Sequence, residues 1–283
     1  MNIRSLTDVP SDELFSAFSS AFADYEMQLN QEQLQTMLNR RGFNPGLSFA
    51  AFDRDKIISF CFNGTGLFEG VPTANDTGTG TLKEHRGKGL ASEIFRYSLP
   101  FLREAGIRQY LLEVLQHNTS AVNLYRKAGF EVSREFNYFV QESGLVSVRD
   151  VLSSVNCQIR RIGLNVALAA SDFQDFNPSW QNSSDALMRN PESFVVFGAF
   201  HDDTLAGYCI LEPESGDIPR IAVGRQHRRR GIGSALLAEA MRFNRSKTVK
   251  VINTDIKCHN IRCFLDSANI HPAGKQYEMT MII

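Results

Sequence analysis

The stretch HRGKGLAS, residues 85–92, sets two glycines, an arginine and a lysine at the start of an apolar run, and HRRRGIGS, residues 227–234, repeats it loosely. A helix start leaves its first amides without intrahelical partners and carries partial positive charge. Gly87, Gly89 and Ala91 let the backbone approach a bulky anion closely, and Arg86 and Lys88 add charge at the rim. The pattern predicts a pyrophosphate cradle, with a helix start bearing solvated basic side chains as the alternative.

Two other phosphate-binding motifs do not match the glycine pattern. A Walker loop needs GxxxxGK[ST], and here Lys88 is followed by Gly89. A dinucleotide fingerprint needs GxGxxG, and the pairs that begin at Gly78 and at Gly231 both lack the third glycine. The cradle therefore belongs to another class of site.

Three separated anchors repeat along the chain with one spacing. Each of these pairs is 142 residues apart: Arg86 and Arg228, Glu113 and Asp255, His117 and His259. A shared offset at three places indicates an internal duplication, joined somewhere between Glu142 and Asn156. The 283 residues are also about twice the usual domain size. We predict two domains, residues 1–148 and 149–283.

Composition is that of an ordinary soluble globular protein, with 43% hydrophobic and 22% charged residues and a net charge of -1. This charge provides no field that would recruit nucleic acid or a membrane, so we expect neither as a partner. The start of the chain lacks the apolar core of a signal peptide. Five scattered cysteines without CxxC pairs argue against disulfides and a metal site, and we expect a cytoplasmic location.

The order of predicted elements indicates an α/β fold. Residues 11–38 have helical spacing with Ser11 as N-cap, and residues 48–64 predict a hairpin that turns at Arg54. EGVPTAND, residues 69–76, has the composition of a loop and TGTGTL that of a strand. Beyond the cradle helix, QYLLEVL predicts a strand and SAVNLYRKAG a helix that ends at Gly129. The second half repeats this order.

RGKGLA and RRRGIG both resemble the R/Q-x-x-G-x-G/A signature of the GNAT superfamily of acyl-CoA N-acyltransferases. NTSAVNLYRKAGF, residues 118–130, is similar to a second signature of that family. The resemblance covers about residues 48–139 and implies two tandem GNAT-like domains, each a mixed, mostly antiparallel sheet flanked by helices. It also implies acetyl-CoA as cosubstrate, no metal, and coenzyme contacts at Thr81, Leu82, Arg86, Gly87, Lys88, Gly89, Leu90, Ala91 and Asn118, and at Val223, Arg228, Arg229, Arg230, Gly231 and Gly233.

Two side chains are candidates for acid–base chemistry in the first copy. The phenol of Tyr125 can give a proton to a departing thiolate at neutral pH, and relatives place this hydroxyl beside the coenzyme sulfur; the alternative is a core tyrosine. Glu113 interrupts an apolar strand and is the candidate base, unless it is solvated or paired with a cation. Relatives also imply an oxyanion contact from the amides near Thr81 and Leu82. Asn118 can cap its helix, contact the coenzyme, or do both.

The second copy departs from the signature in its latter part. HNIRCFLDSANI is two residues shorter than its counterpart, and Leu265 or Ser267 stands where the acid is expected. Phosphate contact or plain solvation accounts for the cluster Arg225, Arg228, Arg229 and Arg230, with nucleic-acid binding a minor alternative. We expect an N-acetyltransferase that acts on a small-molecule or peptide amine through the first copy. A non-catalytic acyl-CoA-binding or sensing protein is the alternative.

Overall fold

The computed structural model describes residues 2–24, 28–147 and 157–283. These residues form two compact units, Met1–Ser133 together with Tyr277–Ile283, and Arg134–Gln276. The predicted boundary between residues 148 and 149 lies outside the described residues and stays a prediction. In the described part of the chain, no helix is long and apolar enough to cross a membrane.

The first unit is a mixed sheet with helices packed against it. Its strands are β1 Asn2–Ser5, β2 Phe49–Asp53, β3 Lys56–Phe68, β4 Val71–Thr81 and β5 Gln109–Leu115, hydrogen-bonded in that order. The β4–β5 pair is parallel and the other three are antiparallel. Its helices are α1 Ser11–Ala21, α2 Gln31–Arg41, α3 Leu90–Glu104 and α4 Thr119–Ala128.

Two local predictions for this unit were wrong. EGVPTAND is not a loop: Glu69 and Gly70 form a tight turn at φ 52° and 81°, and β4 begins directly at Val71. Long antiparallel pairing with β3, from Val71 to Thr81, overrides the turn-like composition. The helical stretch is two helices, because Asn30 caps a new start at Gln31, and the cap position of α1 is Pro10 rather than Ser11.

The second unit repeats the architecture. Its strands are β6 Glu131–Glu142 (from Arg134 on), β7 Gln158–Arg161, β8 Val195–His201, β9 Thr204–Glu212, β10 Asp217–Val223 and β11 Thr248–Asp255, in the order β6-β11-β10-β9-β8-β7. The β10–β11 pair is parallel and the rest are antiparallel. Its helices are α5 Leu164–Ala169, α6 Ser184–Met188, α7 Ile232–Phe243 and α8 His259–Ser267. The predicted α/β class with two similar mixed sheets is confirmed.

The last strand, β12 Pro272–Ile282, carries the chain end into the first unit. Met279 is fully buried there, in an apolar cluster with Val122 and Phe130. The amide of Ile283 donates to the carbonyl oxygen of Arg108 at 3.0 Å. The core beneath α4 is therefore completed by residues from the far end of the sequence.

Candidate functional site

The two parallel strands of the first unit separate at their carboxyl ends. β4 and β5 pair from Thr73 opposite Gln109 to Asn75 opposite Leu111. β4 then continues through Asp76 to Thr81, and β5 continues to Leu115. Amides on the facing edges of the separated segments are directed into the gap, because a strand presents its hydrogen-bonding groups alternately to either side. We call this gap the first splay.

The predicted cradle follows directly after β4. Gly87 and Gly89 have φ of 76° and 80°, in the left-handed region that favours glycine, and α3 begins at Leu90. A Cβ added at either glycine would have no protein atom within 4 Å, so this backbone faces open space. No side chain of the described residues caps α3, and Lys88 is exposed. The turn thus offers uncapped amides, the positive end of a helix dipole and one mobile cation.

Arg86 is engaged by the protein itself. Its Nε donates to the carbonyl oxygen of Thr81 at 3.2 Å, and its two terminal nitrogens bind the carbonyl oxygen of Ala21 at 2.8 Å and the carboxylate of Asp24 at 3.2 Å. These contacts join the end of α1 to the end of β4. The guanidinium therefore positions the cradle, and its predicted phosphate contact stays a prediction.

The two predicted oxyanion amides differ in their surroundings. The amide of Leu82 donates to the carbonyl oxygen of Ile58 at 3.0 Å, so it is already used in pairing with the neighbouring strand. Thr81 is the next residue along the ladder and its amide points the other way, toward the first splay. Of the two, Thr81 is the one whose amide faces the site.

Tyr125 lies on α4 and its hydroxyl reaches the first splay. The phenol oxygen donates to Asp76 Oδ2 at 2.9 Å, at the first residue of β4 beyond the paired segment. The ring packs edge-on against Phe130, with centroids 5.6 Å apart. Gly129 at φ 100° ends α4 and lets the chain turn back to bring Phe130 there. Burial, followed by the nearby charge of Asp76, holds the pKa of Tyr125 well above its usual 10.0.

Asp76 is the site residue that the sequence did not reveal. Its carboxylate accepts from the hydroxyls of Tyr125 and Thr79, the latter at 2.8 Å, and from the amide of Gly78 at 3.0 Å. Burial raises the pKa of this carboxyl from 3.8, against the opposite pull of those hydrogen bonds and of Arg41. A single acid in a run of glycine, threonine and small residues was the available signal, hidden by the assignment of its segment to a loop.

The remaining predicted residues of the first unit lie around the same gap. Glu113 is half-buried on β5, past the last residue paired with β4. Asn118 caps α4 by accepting from the amide of Ala121 at 3.1 Å, so its capping role is confirmed. Leu90 is buried and Ala91 is half-buried at the start of α3.

The second unit preserves the cradle geometry. Gly231 has φ 83°, and Arg229 adopts φ 61° at the position that corresponds to Gly87. Arg228 repeats the contacts of Arg86, with Nε 2.9 Å from the carbonyl oxygen of Val223 and a terminal nitrogen 2.9 Å from Asp175. The start of α7 has no side-chain cap among the described residues.

A cavity of about 640 Å³ opens beside this second cradle. Its lining includes five of the predicted residues, Val223, Arg228, Arg229, Gly231 and Gly233, while Arg230 lies outside it. At the position expected for an acid, Leu265 is buried and the hydroxyl of Ser267 donates to the carbonyl oxygen of Phe264 at 2.6 Å. The second unit thus combines a cradle and a cavity with α8 side chains that do not replace the phenol. No group of three or more metal-binding side chains clusters among the residues that the structure describes.

Comparison with known proteins agrees with this geometry. The sequence model of the acetyltransferase (GNAT) family matches residues 11–130 and 165–264, more than half of the chain. Mycothiol acetyltransferase of Thermobifida fusca is 33% identical over 133 residues, covering 44% of this chain and 41% of that protein. N-alpha-acetyltransferase 30 of Schizosaccharomyces pombe is 26% identical over 98 residues, covering 34% of this chain and 65% of that protein. The chain thus spans less than two thirds of the length of either relative.

A solved tandem GNAT protein from the clavulanic acid biosynthesis pathway has a similar fold along almost the whole chain. The TM-score is 0.75 at 13% identity, and the match covers 99% of this chain and 98% of that one. At this identity the likeness concerns the fold. It extends the similarity across both units, including the stretches outside the family match.

Proposed function

Since the chain belongs to the acetyltransferase (GNAT) family, we propose that it transfers an acetyl group from acetyl-CoA to a primary amine, and that the chemistry takes place in the first unit. The observation that carries this proposal is the hydroxyl of Tyr125 at the first splay, in the same unit as an uncapped cradle at Gly87 and Gly89. A phosphate-binding turn and a proton donor at one gap are what a thioester substrate requires.

The cradle residues fit the diphosphate of coenzyme A. The open space at Gly87 and Gly89 and the uncapped start of α3 support binding of its oxygens by the amides from Gly87 to Ala91. Lys88 supplies a cation at the rim, and Arg86 holds the turn in place through its contact with Thr81. Asn118 fixes the start of α4 and thereby the height of Tyr125 above the gap.

The proposed chemistry divides among three groups. The amine nitrogen attacks the thioester carbonyl, so a C–N bond forms and the C–S bond breaks. Glu113 takes the proton that the nitrogen loses, and Tyr125 gives a proton to the departing sulfur. The amide of Thr81 donates to the carbonyl oxygen as negative charge develops on it.

The acceptor is a small-molecule or peptide amine. The similar proteins include one named as a mycothiol acetyltransferase and one named as an N-alpha-acetyltransferase, which between them span both kinds of acceptor. The five cysteines, free in the structure, support a reducing location such as the cytoplasm.

For the second unit we propose binding of coenzyme A without turnover. The cavity of about 640 Å³ beside Arg229 and Gly231 favours retained binding. The replacement of the phenol by Leu265 or Ser267 favours the loss of catalysis. This is the binding-only function, restricted to one half of the chain.

Thiol release tests the proposal. The protein is mixed with acetyl-CoA and a panel containing a polyamine, an amino sugar, an amino acid and a short peptide, and free coenzyme A is followed with a thiol reagent. We expect release that depends on one of the amines, and its loss in a Gly89→Val variant. Calorimetry with coenzyme A should show two sites in the wild type and one in that variant. Two full-affinity sites in the variant would contradict the cradle assignment.

A further inference from the structure

The carboxylate of Asp76 is held on three sides at the point where the first splay opens. Its partners are the hydroxyls of Tyr125 and Thr79 and the amide of Gly78, all within 3.0 Å. A carboxylate with three donors has a defined position, and a phenol that donates to it is equally defined. Tyr125 therefore does not swing freely over the gap.

The same contact makes an isolated proton transfer from Tyr125 costly. A phenolate formed 2.9 Å from an ionised Asp76 would set two negative charges side by side in a partly buried site. The other titratable groups that act on Asp76 are Cys61 and Tyr110, whose charged forms would also be negative, and Arg41, the one cation among them. Tyr125 needs a proton to arrive as its own proton leaves.

We propose that Asp76 is a positioning residue for Tyr125, one that fixes the phenol at the splay and returns a proton to the phenol oxygen when the phenol proton goes to sulfur. This inference rests on the proposed function and adds a residue to it. Asp76 gains a proton that the amine nitrogen has lost, passed on through water, and gives it to the oxygen of Tyr125. One N–H and one C–S bond break, one C–N and one S–H bond form, and both side chains end as they began.

The second unit supports the pairing of these two residues. At the same offset of 142 residues, Ile218 stands where the first unit has Asp76, and it is buried. Tyr125 is replaced in that half as well, by Leu265 or Ser267. The carboxylate and the phenol are thus both present in one unit and both replaced in the other, as expected if each serves the other.

The first test is a double-mutant cycle with the amine that the wild type uses best from the panel. Asp76→Asn should lower kcat by about 10²-fold, similar to Tyr125→Phe, while calorimetry shows unchanged coenzyme A affinity. The double variant should lose no more than either single variant, because the two groups act as a unit. The matched control is Asp53→Asn, an exposed carboxylate at the end of β2, which should retain wild-type kcat.

The second test needs no turnover. Protein labelled with ¹³C at the tyrosine Cζ is titrated by NMR, and the Tyr125 signal is assigned by its loss in Tyr125→Phe. In the wild type this signal should stay that of the protonated phenol beyond pH 10, where exposed tyrosines titrate. In Asp76→Asn it should titrate at lower pH, because a negative neighbour has been removed.

The outcomes separate this inference from the proposed function. An unchanged Tyr125 titration in Asp76→Asn, or a double variant whose loss is the product of the two single losses, overturns the pairing even if the wild type is an active acetyltransferase. An inactive wild type with a shifted Tyr125 titration overturns the proposed function and keeps the coupling of the two side chains. Thermal unfolding of each variant confirms that the compared proteins are folded.

Discussion

Arg86 and Arg228, 142 residues apart, make the same kind of contact in the two units: each Nε donates to a carbonyl oxygen five residues earlier, that of Thr81 or of Val223. Each guanidinium also binds an aspartate from the preceding helical region, Asp24 or Asp175. The duplication has thus preserved a contact that holds the cradle in place. A motif arginine that looks like a phosphate ligand in the sequence serves first as a brace for its own turn.

We expect Arg86→Ala to weaken coenzyme A binding in the first unit and to lower the free energy of unfolding by about 1–2 kcal/mol, because hydrogen bonds from a charged donor to backbone oxygens are lost. Lys88→Ala is the comparison: it should weaken binding without changing stability, since Lys88 is exposed. Calorimetry and thermal unfolding measure the two effects. Equal stability of both variants would contradict the bracing role.

Substitution at the two cradle glycines should separate backbone conformation from bulk. Asparagine tolerates the left-handed region, and the second unit itself has Arg229 at φ 61° where the first has Gly87. Gly87→Asn should therefore keep the fold and measurable coenzyme A binding. Gly89→Val should abolish binding, since a β-branched residue at φ 80° is strained and fills the open face. Retained binding in Gly89→Val would show that the anion lies elsewhere.

The chain end should matter for the stability of the first unit. Met279→Ala removes a fully buried side chain from the cluster with Val122 and Phe130, and such truncations cost about 2–5 kcal/mol. Ile282→Ala is the matched control, because that side chain is 78% exposed, and it should change stability little. Urea unfolding of both variants provides the measurement. Similar small losses in the two would mean that the last strand is not part of this core.

The cysteines should differ widely in reactivity. Burial raises the pKa of Cys61 and of Cys209 to about 12, so at pH 8 almost no thiolate is present and the sulfurs are enclosed. Cys263 is exposed. Mass spectrometry after brief alkylation of the native protein should find Cys263 modified first, and Cys61 and Cys209 modified only after denaturation. Labelling of Cys61 as fast as Cys263 would contradict the enclosed site.

Local patterns predicted much of the fold and part of the site. The cradle at Gly87 and Gly89, the helix ended by Gly129 and the cap at Asn118 follow from short-range conformational rules, and the structure has each of them. Asp76 was missed because β4 is specified by its pairing with β3 and not by its own turn-like residues. The partners of Arg86 and the burial of Met279 depend on contacts between segments far apart in sequence, which no local pattern contains.

The most direct test of the account is the turnover number of Tyr125→Phe with acetyl-CoA and the preferred amine. Removal of one hydroxyl leaves the ring against Phe130 and the cradle intact, so binding should stay at the wild-type level. We predict a fall in kcat of about 10²-fold or more at unchanged coenzyme A affinity. Wild-type turnover in this variant would remove Tyr125 from the mechanism and contradict the account.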